Sequence, residues 1–438
     1  MKRSGRVFIV LICALFFSFT RSYPKIYIDI DSPSIRRIPI AVTYFKNLGG
    51  GDSEKGISKE MFEVLTQDLE VSGLFAPIDP SHFLESRGDS GVNNEEKINF
   101  RDWSLIGAEA LIQGNFRCND GKLEIEAKLY DVFQGQFVMG KKYVGERESL
   151  RRMIHRFCDE VLLSFTGERG VFDTKIAFVS DKSGHKEIYI MDFDGHNVVR
   201  VTNHRSIALS PVWSPDGEKI AFTSYKNGNP DIYVKDIVTG KEDRVSHQKG
   251  LNIAPAWSPD GEKLAVTLSV DGNPEIYVID KKGGMRKRLI NNWGIDVSPT
   301  WSPDGKEIAF VSNRSGNPSI YVMDSQGGNV RRLTFQTGYS VSPGWSPRGD
   351  KIVFSSLEGG HFEIYTMNPD GTDLGRLTSN SGSNEDPSWS PNGRFIVFTS
   401  TRGGVQGLYI MRSDGSGQRR LKAFDGKQSN PCWSPRFR

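Results

Sequence analysis

Apolar residues along this chain follow two rhythms, and one gives way to the other near residue 168. In the first part helical and strand spacings alternate. Ile57, Met61, Val64, Leu65 and Leu69 recur at three- and four-residue steps, which predicts an amphipathic helix stopped by Gly73. Leu150, Met153, Ile154, Phe157, Val161, Leu162 and Phe165 repeat that pattern in a second helix, followed by Gly167. Residues 39–45 and 74–78 read as strands, and residues 100–108 as a short helix around Trp103. Residues 111–118 and 123–131 flank Asn119-Asp120-Gly121, a hairpin signal. In the second of these strands Leu123, Ile125, Ala127 and Leu129 face one way, and Glu124, Glu126 and Lys128 the other. With a further strand at 137–144, residues 38–168 predict an α/β domain whose helices lie on one side of its sheet. The polar stretch 85–97 predicts a surface loop.

Past residue 171 the pattern becomes short strands parted by turn residues, and it repeats. Trp-Ser-Pro returns at Trp213, Trp257, Trp301, Trp345, Trp389 and Trp433, always 44 residues on. Tyr189, Tyr233, Tyr277, Tyr321, Tyr365 and Tyr409 keep the same step, as do Arg200, Arg244, Arg288, Arg332, Arg376 and Arg420. Within a unit, Ser302-Pro303-Asp304-Gly305 is a turn, because proline presets φ at its second position and glycine accepts the left-handed one. Gly316-Asn317 and Gly327-Gly328 turn the chain twice more. Four antiparallel strands per unit describe a propeller blade. The first unit, from Lys175, has no Trp-Ser-Pro before it, and the last, Pro431-Cys432-Trp433-Ser434-Pro435, has no blade after it. The expected fold is therefore an α+β N-terminal domain followed by an all-β six-bladed β-propeller over 171–438, its C-terminal strand closing the first blade.

Residues shared by every blade are what every blade needs, so recurring Trp, Tyr and Arg predict packing and anchoring. Binding is expected where blades differ yet converge, at the segments leading into the inner strands. These are 207–210, 251–254, 295–298, 339–342, 384–386 and 428–430. They make Ile207, Leu209, Leu251, Asn252, Ala254, Asp296, Val297, Ser340, Val341, Glu385, Asp386 and Ser429 candidates for a mixed apolar and polar rim suited to a protein.

The chain starts with Lys2, Arg3 and Arg6, then an apolar run over 7–19, with Thr20 and Ser22 placed like a cleavage pair. That predicts a secretory leader over 1–22, and Cys13 lies inside the apolar run, not at its end. Removing a leader with four basic and no acidic residues turns the formal charge of +3 into about −1, which argues against a nucleic-acid binder. Ile26, Ile28 and Ile30 then alternate with Tyr27, Asp29 and Asp31, between Pro24 and Pro33, so 23–37 predicts either a strand or a detachable arm. Export permits a disulfide, and Cys118 with Cys158 leaves both a bridge and two separate thiols open.

Signals for enzyme chemistry are weak. Gly88-Asp89-Ser90-Gly91 resembles a serine-protease run, but Val92 follows and the setting is a polar loop. There is no Gly-x-Ser-x-Gly elbow, and the seven histidines show no metal-ligand spacing. No cofactor is expected; the Glu385–Asp386 pair leaves a calcium ion in the channel mouth open.

A leader, an α/β domain and six Trp-Ser-Pro-Asp-Gly repeats with Ile-Ala-Phe and Ile-Tyr-Val-Met-Asp strands together resemble the TolB family of the Tol–Pal system. The resemblance implies a periplasmic, monomeric, non-enzymatic protein, peripheral to the outer membrane through its partners, that supports envelope integrity and constriction during division. It implies that the rim binds a Pal-type peptidoglycan-associated lipoprotein, with Leu251, Ala254 and Val297 foremost. It also implies that an arm carrying Tyr23, Ile26, Tyr27, Ile28, Asp29, Ile30 and Asp31 binds a TolA-type inner-membrane protein, docked or free according to the state of the rim. The competing expectation is an exported propeller that binds a small ligand or acts as a lyase or hydrolase, with clustered acidic, histidine or arginine residues in its channel.

Overall fold

The computed structural model describes residues 36–49, 55–83, 98–119, 121–284, 286–379, 382–422 and 424–437. The leader, the arm residues Tyr23–Asp31 and the whole polar loop at 85–97 lie outside the described residues.

The N-terminal domain runs β1 (Ile38–Val42), β2 (Lys46–Asn47), α1 (Lys55–Ser72), β3 (Phe75–Pro77), α2 (Phe100–Leu105), β4 (Ala110–Asn119), β5 (Lys122–Asp131), β6 (Gln136–Glu146) and α3 (Leu150–Thr166). Its sheet has the order β3-β1-β4-β5-β6, with β2 beside β4. The pairs β1–β3 and β1–β4 are parallel, whereas β4–β5–β6 is an antiparallel meander. Gly73 and Gly167 end the two long helices at φ +75° and +74°, conformations that glycine adopts without a side-chain clash. Alternation along the strands decides which helix lies where. Ile40, Val42 and Ile112 pack under α1 and α3, while Ala41 and Leu111 point to the other face and meet Trp103 of α2 and Phe83. The expectation of helices on one side thus holds for the long pair only. A two-residue period gives every sheet a second face, and here Trp103 covers it. No disulfide joins Cys118 to Cys158, and Cys158 is fully buried.

The propeller has six four-stranded antiparallel sheets. Blade one takes its inner strand from Gln428–Trp433, which pairs with Lys175–Ser180. Blades two to six start at Ala208–Trp213, Asn252–Trp257, Asp296–Trp301, Ser340–Trp345 and Asn384–Trp389. Each inner strand packs against that of the next blade, and the sixth returns to the first, so the ring closes. Turn chemistry repeats through blades two to six. In blade four Ser302 N–H donates to Glu307 O, and Gly305 N–H to Ser302 O, both at 2.9 Å. Ser302 Oγ donates to Asp304 at 2.7 Å and, with the Lys306 N–H, holds this carboxyl down to about 2.

The recurring aromatics and arginines are structural, as the pattern suggested. Phe178–Tyr189, Phe222–Tyr233, Phe310–Tyr321, Phe354–Tyr365 and Phe398–Tyr409 pair across strands with ring centroids 5.7–5.9 Å apart. Trp301 and Trp389 donate to the preceding blade through Ala256 O at 3.2 Å and Gly344 O at 3.1 Å. Arg244 and Arg376 neutralise the buried acids Asp231 at 2.6 Å and Glu363 at 3.0 Å.

The N-terminal domain sits on blades five, six and one. Glu168 takes Arg348 at 3.2 Å and Arg394 at 3.0 Å, and one apolar cluster runs unbroken from Ile40 through Phe172 to Ile410. Asp159 on α3 accepts the Phe172 N–H at 2.9 Å, which ties the linker down. At the centre of the interface His155 lies 2.7 Å from Asp68 and 3.3 Å from Asp194, with Arg151 also on Asp194. Burial alone would lower the His155 pKa, but the two carboxylates push it up to about 10.

Two outcomes follow. Trp433 donates to Thr174 Oγ1 at 2.8 Å and is buried, so Trp433→Ala should cost about 3–5 kcal/mol in urea unfolding followed by circular dichroism. Deleting 428–438 should abolish the cooperative transition of the whole ring; a change below about 1 kcal/mol for the point variant contradicts this account. The second concerns His155. Its folded pKa lies above an unfolded value near 6.5, so its stabilisation is whole below about pH 6.5 and fades as pH rises toward 10. The melting-temperature gap between wild type and His155→Gln should be widest near pH ~6 and nearly closed by pH ~10. A gap that stays constant with pH would sink it.

Candidate functional site

Which end of the ring is open follows from backbone hydrogen bonds. The residue leading into each inner strand bonds the turn between the second and third strands of its own blade: Tyr225 N–H to Ile207 O at 2.9 Å, Asn313 to Ile295 at 3.3 Å, Leu357 to Tyr339 at 2.9 Å and Thr401 to Ser383 at 3.0 Å. The Trp-Ser-Pro turns therefore lie at the opposite end. That end holds the N-terminal domain through Arg348 and Arg394, so the lead-in segments surround a mouth that the domain leaves uncovered.

The predicted rim segments are not loops but the first residues of the inner strands. Ser210, Ala254, Ser298, Ser342, Asp386 and Asn430 all sit at φ between +46° and +54°, and the strand registers shift next to them. One bulge per blade turns its side chains inward. Asn430 Nδ2 and Ser342 Oγ donate to Asp386 at 2.8 and 3.1 Å, joining blades five, six and one. Burial raises the Asp386 pKa, and raises that of Glu385 together with the charge of Asp386.

Alternation then separates the candidates. Leu209, Val297, Val341, Glu385 and Ser429 are half-buried, as is Ile253, and Leu209, Val297 and Val341 also rest on the apolar cores of the blades; Leu251 and Ala254 are half-buried at the lip. Ile207 is exposed. Asn252, Asp296 and Ser340 correct the expectation: all three are 0 % exposed and belong to the frame. Asn252 Nδ2 donates to Gln248 O at 2.7 Å, Asp296 takes Arg314 at 2.8 Å, and the Ser340 and Thr337 hydroxyls hydrogen-bond to each other at 2.7 Å. Their odd-even place in the strand turns them into the blade, away from the channel.

Two surface residues escaped the sequence reading. Trp293 is 75 % and Phe335 71 % exposed, on the same face as Ile207, Ile295 and Tyr339. The repeat itself carried the signal. Trp293 occupies the slot held elsewhere by Arg205, Lys249, Thr337, Ser381 and Asp425, and Phe335 that of Asn203, His247, Asn291, Ser379 and Ala423. The slots named in advance show the same bias. Ile207, Leu251, Ile295 and Tyr339 are apolar where blades six and one have Ser383 and Lys427; Leu209, Ile253, Val297 and Val341 are apolar against Glu385 and Ser429. An apolar arc over blades two to five thus faces a polar arc over blades six and one.

Beside the mouth, His204 Nδ1 lies 2.8 Å from Ser224 Oγ and its Nε2 3.1 Å from Glu242, an order that resembles a hydrolase triad. Ser224 is 0 % exposed, and its Oγ accepts the Lys226 N–H at 3.3 Å. Burial works against the Glu242 charge, yet His204 and Lys226 hold this carboxyl down to about 2. With its hydroxyl sealed off, the trio is a strut between strands. Among the described residues no group of three or more His, Cys, Asp or Glu is placed to hold a metal ion, and Asp386 is engaged by Ser342 and Asn430. No helix among them is long and apolar enough to cross a membrane.

An α/β domain capping one end of a closed propeller whose other end carries an apolar mouth defines a two-domain propeller protein. Sequence comparison narrows the class. The model of the TolB beta propeller domain matches residues 163–437, and that of the TolB amino-terminal domain matches residues 26–138. The chain belongs to the TolB family. It is 44% identical over 217 residues to the Tol-Pal system protein TolB of Syntrophotalea carbinolica, and 42% identical over 221 residues to that of Desulfosudis oleivorans. Each alignment covers 50% of this chain and 49% of the relative, so the chain spans about half the length of these relatives in the match. The crystal structure of TolB from Acinetobacter baumannii superposes with a TM-score of 0.78 at 29% identity, covering 93% of this chain and 99% of that one.

The bulge generates a prediction of its own. Ala254 holds a left-handed backbone at φ +53°, which disfavours most side chains, whereas blade one places Asn430 in the same slot. Ala254→Asn should therefore stabilise the protein by about 1 kcal/mol in chemical denaturation. A loss of stability would mean that the lip packs too tightly for the side chain.

Proposed function

We propose that this protein is a non-catalytic scaffold of the Tol–Pal cell-envelope system, acting in the periplasm. Its channel mouth takes a Pal-type peptidoglycan-associated lipoprotein, and residues 23–37 take a TolA-type inner-membrane protein. Held between these partners, it is peripheral to the outer membrane and supports envelope integrity and constriction during division. The names of the relatives support the system. One observation carries the site: the apolar arc of blades two to five, crowned by Trp293 and Phe335, faces solvent opposite the domain interface. Large aromatic rings that lie exposed in the free protein and are buried on binding are characteristic anchors of protein interfaces. The polar arc, with Ser383, Glu385, Lys427 and Ser429, supplies orientation more than affinity.

Capture of the lipoprotein from a detergent extract of the envelope tests this reading. Trp293→Ala and Val297→Asp should each weaken capture about tenfold or more. Val238→Asp, an exposed apolar position in the turn at 236–240 on the opposite end, should leave capture unchanged. Deleting 23–35 should remove TolA-type capture and spare the lipoprotein. Equal retention by all the propeller variants would move the site away from the mouth.

A further inference from the structure

The cleft between the N-terminal domain and blade six holds an arrangement that neither the fold nor the mouth accounts for. A cavity of about 470 Å³ opens there, between the end of α1 and the strand Gly407–Arg412 with the turn that follows it. Three guanidinium groups border it: Arg37 from the chain just before β1, and Arg412 and Arg419 from blade six. In the blades arginines are spent on buried acids, as Arg244 is on Asp231 and Arg376 on Glu363. Here they are not. Among the described residues, Arg419 Nε and Nη2 and Arg412 Nε are buried without a hydrogen-bond partner. Arg412 is held by Ser416 Oγ at 3.2 Å and lies so close over Gly73 and Gly417 that a side-chain carbon at either would strike the guanidinium.

Charge does not balance locally. Glu70 is the acid on the cavity wall, and Asp414 lies beside Arg412. Asp68 and Asp194 stand behind Arg419, but His155 and Arg151 already engage them. Burial lowers the pKa of both Arg412 and Arg419, and the charge of Arg37 adds to this at Arg412. Guanidinium groups stay protonated under such a penalty, so a surplus of positive charge and unused donors remains. On the other wall Val71 is half-buried and apolar, with Ile410 and Met411 sealed beneath the surface.

We propose that this interdomain cleft is a binding site for a phosphate monoester, its dianion on Arg37, Arg412 and Arg419 and its apolar body against Val71. Guanidinium forks match phosphate oxygens bidentately, and a ligand seated there touches both domains at once. Binding that is confined to the docked arrangement stabilises that arrangement by mass action.

The test uses the full chain, with phenyl phosphate and inorganic phosphate as probes at ionic strength matched by sodium chloride. Phenyl phosphate should raise the melting temperature saturably and bind more tightly than inorganic phosphate in calorimetry, while chloride alone should not shift the melt. Arg419→Gln and Arg412→Gln should each weaken binding about tenfold or more. Arg37→Gln, at an exposed position near the edge of the described chain, keeps the test valid if the buried variants fold poorly, and should also weaken binding. A shift equal to that of chloride, or affinity unchanged in Arg37→Gln together with either buried variant, overturns the proposal. Capture of the lipoprotein at the mouth is read separately, so failure of either site leaves the other standing.

Discussion

Everything in this molecule hangs on the pairing of its last strand with the first strand of the propeller. Gln428–Trp433 lies antiparallel to Lys175–Ser180 across more than half the length of the chain, and with it the inner strands form a ring without a free inner edge. Without that pairing, blade one would lose its inner strand and blade six would lose its neighbour. Both blades carry the N-terminal domain, so ring closure and domain docking share one support. The apolar cluster that spans the two domains contains Trp433 itself, together with Phe395 and Phe172.

The 44-residue spacing made the blade count and the closure legible, because a repeat without insertions leaves little freedom in how units stack. The same spacing was under-used at the mouth. Read slot by slot, it would have exposed Trp293 and Phe335 as apolar intruders among polar equivalents. Read only as a set of loops, it placed Asn252, Asp296 and Ser340 on a surface that their strand parity turns inward. Local pattern cannot show where strands begin when the leading residues are as polar as a turn, and the bulge at Ala254 and its counterparts is written in no residue type common to all six. Serine fills three of these positions, with Ala254, Asp386 and Asn430 in the others. The arginine cluster of the interdomain cleft was illegible for a different reason. Arg37, Arg412 and Arg419 come together only when two domains dock, and nothing in one-dimensional spacing brings residue 37 to residue 412.

Polar networks in the two halves are put to different uses. In the blades, buried acids are neutralised by the recurring arginines or satisfied by threonines such as Thr378, and the result is rigidity. At the domain interface the charges of Asp68, Asp194, His155 and Arg151 compensate one another, while Arg412 and Arg419 do not enter that balance. Burial makes an uncompensated donor expensive, and a fold that leaves it so is set for a ligand rather than for stability.

The closing strand also settles how the two ends of the molecule relate. Asn430 stands at the mouth and donates to Asp386, and three residues on Trp433 donates to Thr174 beneath the N-terminal domain. Those residues are a few ångströms per step along one strand, so the polar arc of the mouth and the domain interface share a single short element. The apolar arc lies on blades two to five, and the N-terminal domain rests on blades five, six and one. A partner anchored on blades two to four alone would leave the interface unperturbed. One that also engages Glu385, Asp386 or Asn430 presses on the strand whose other end holds the domain in place.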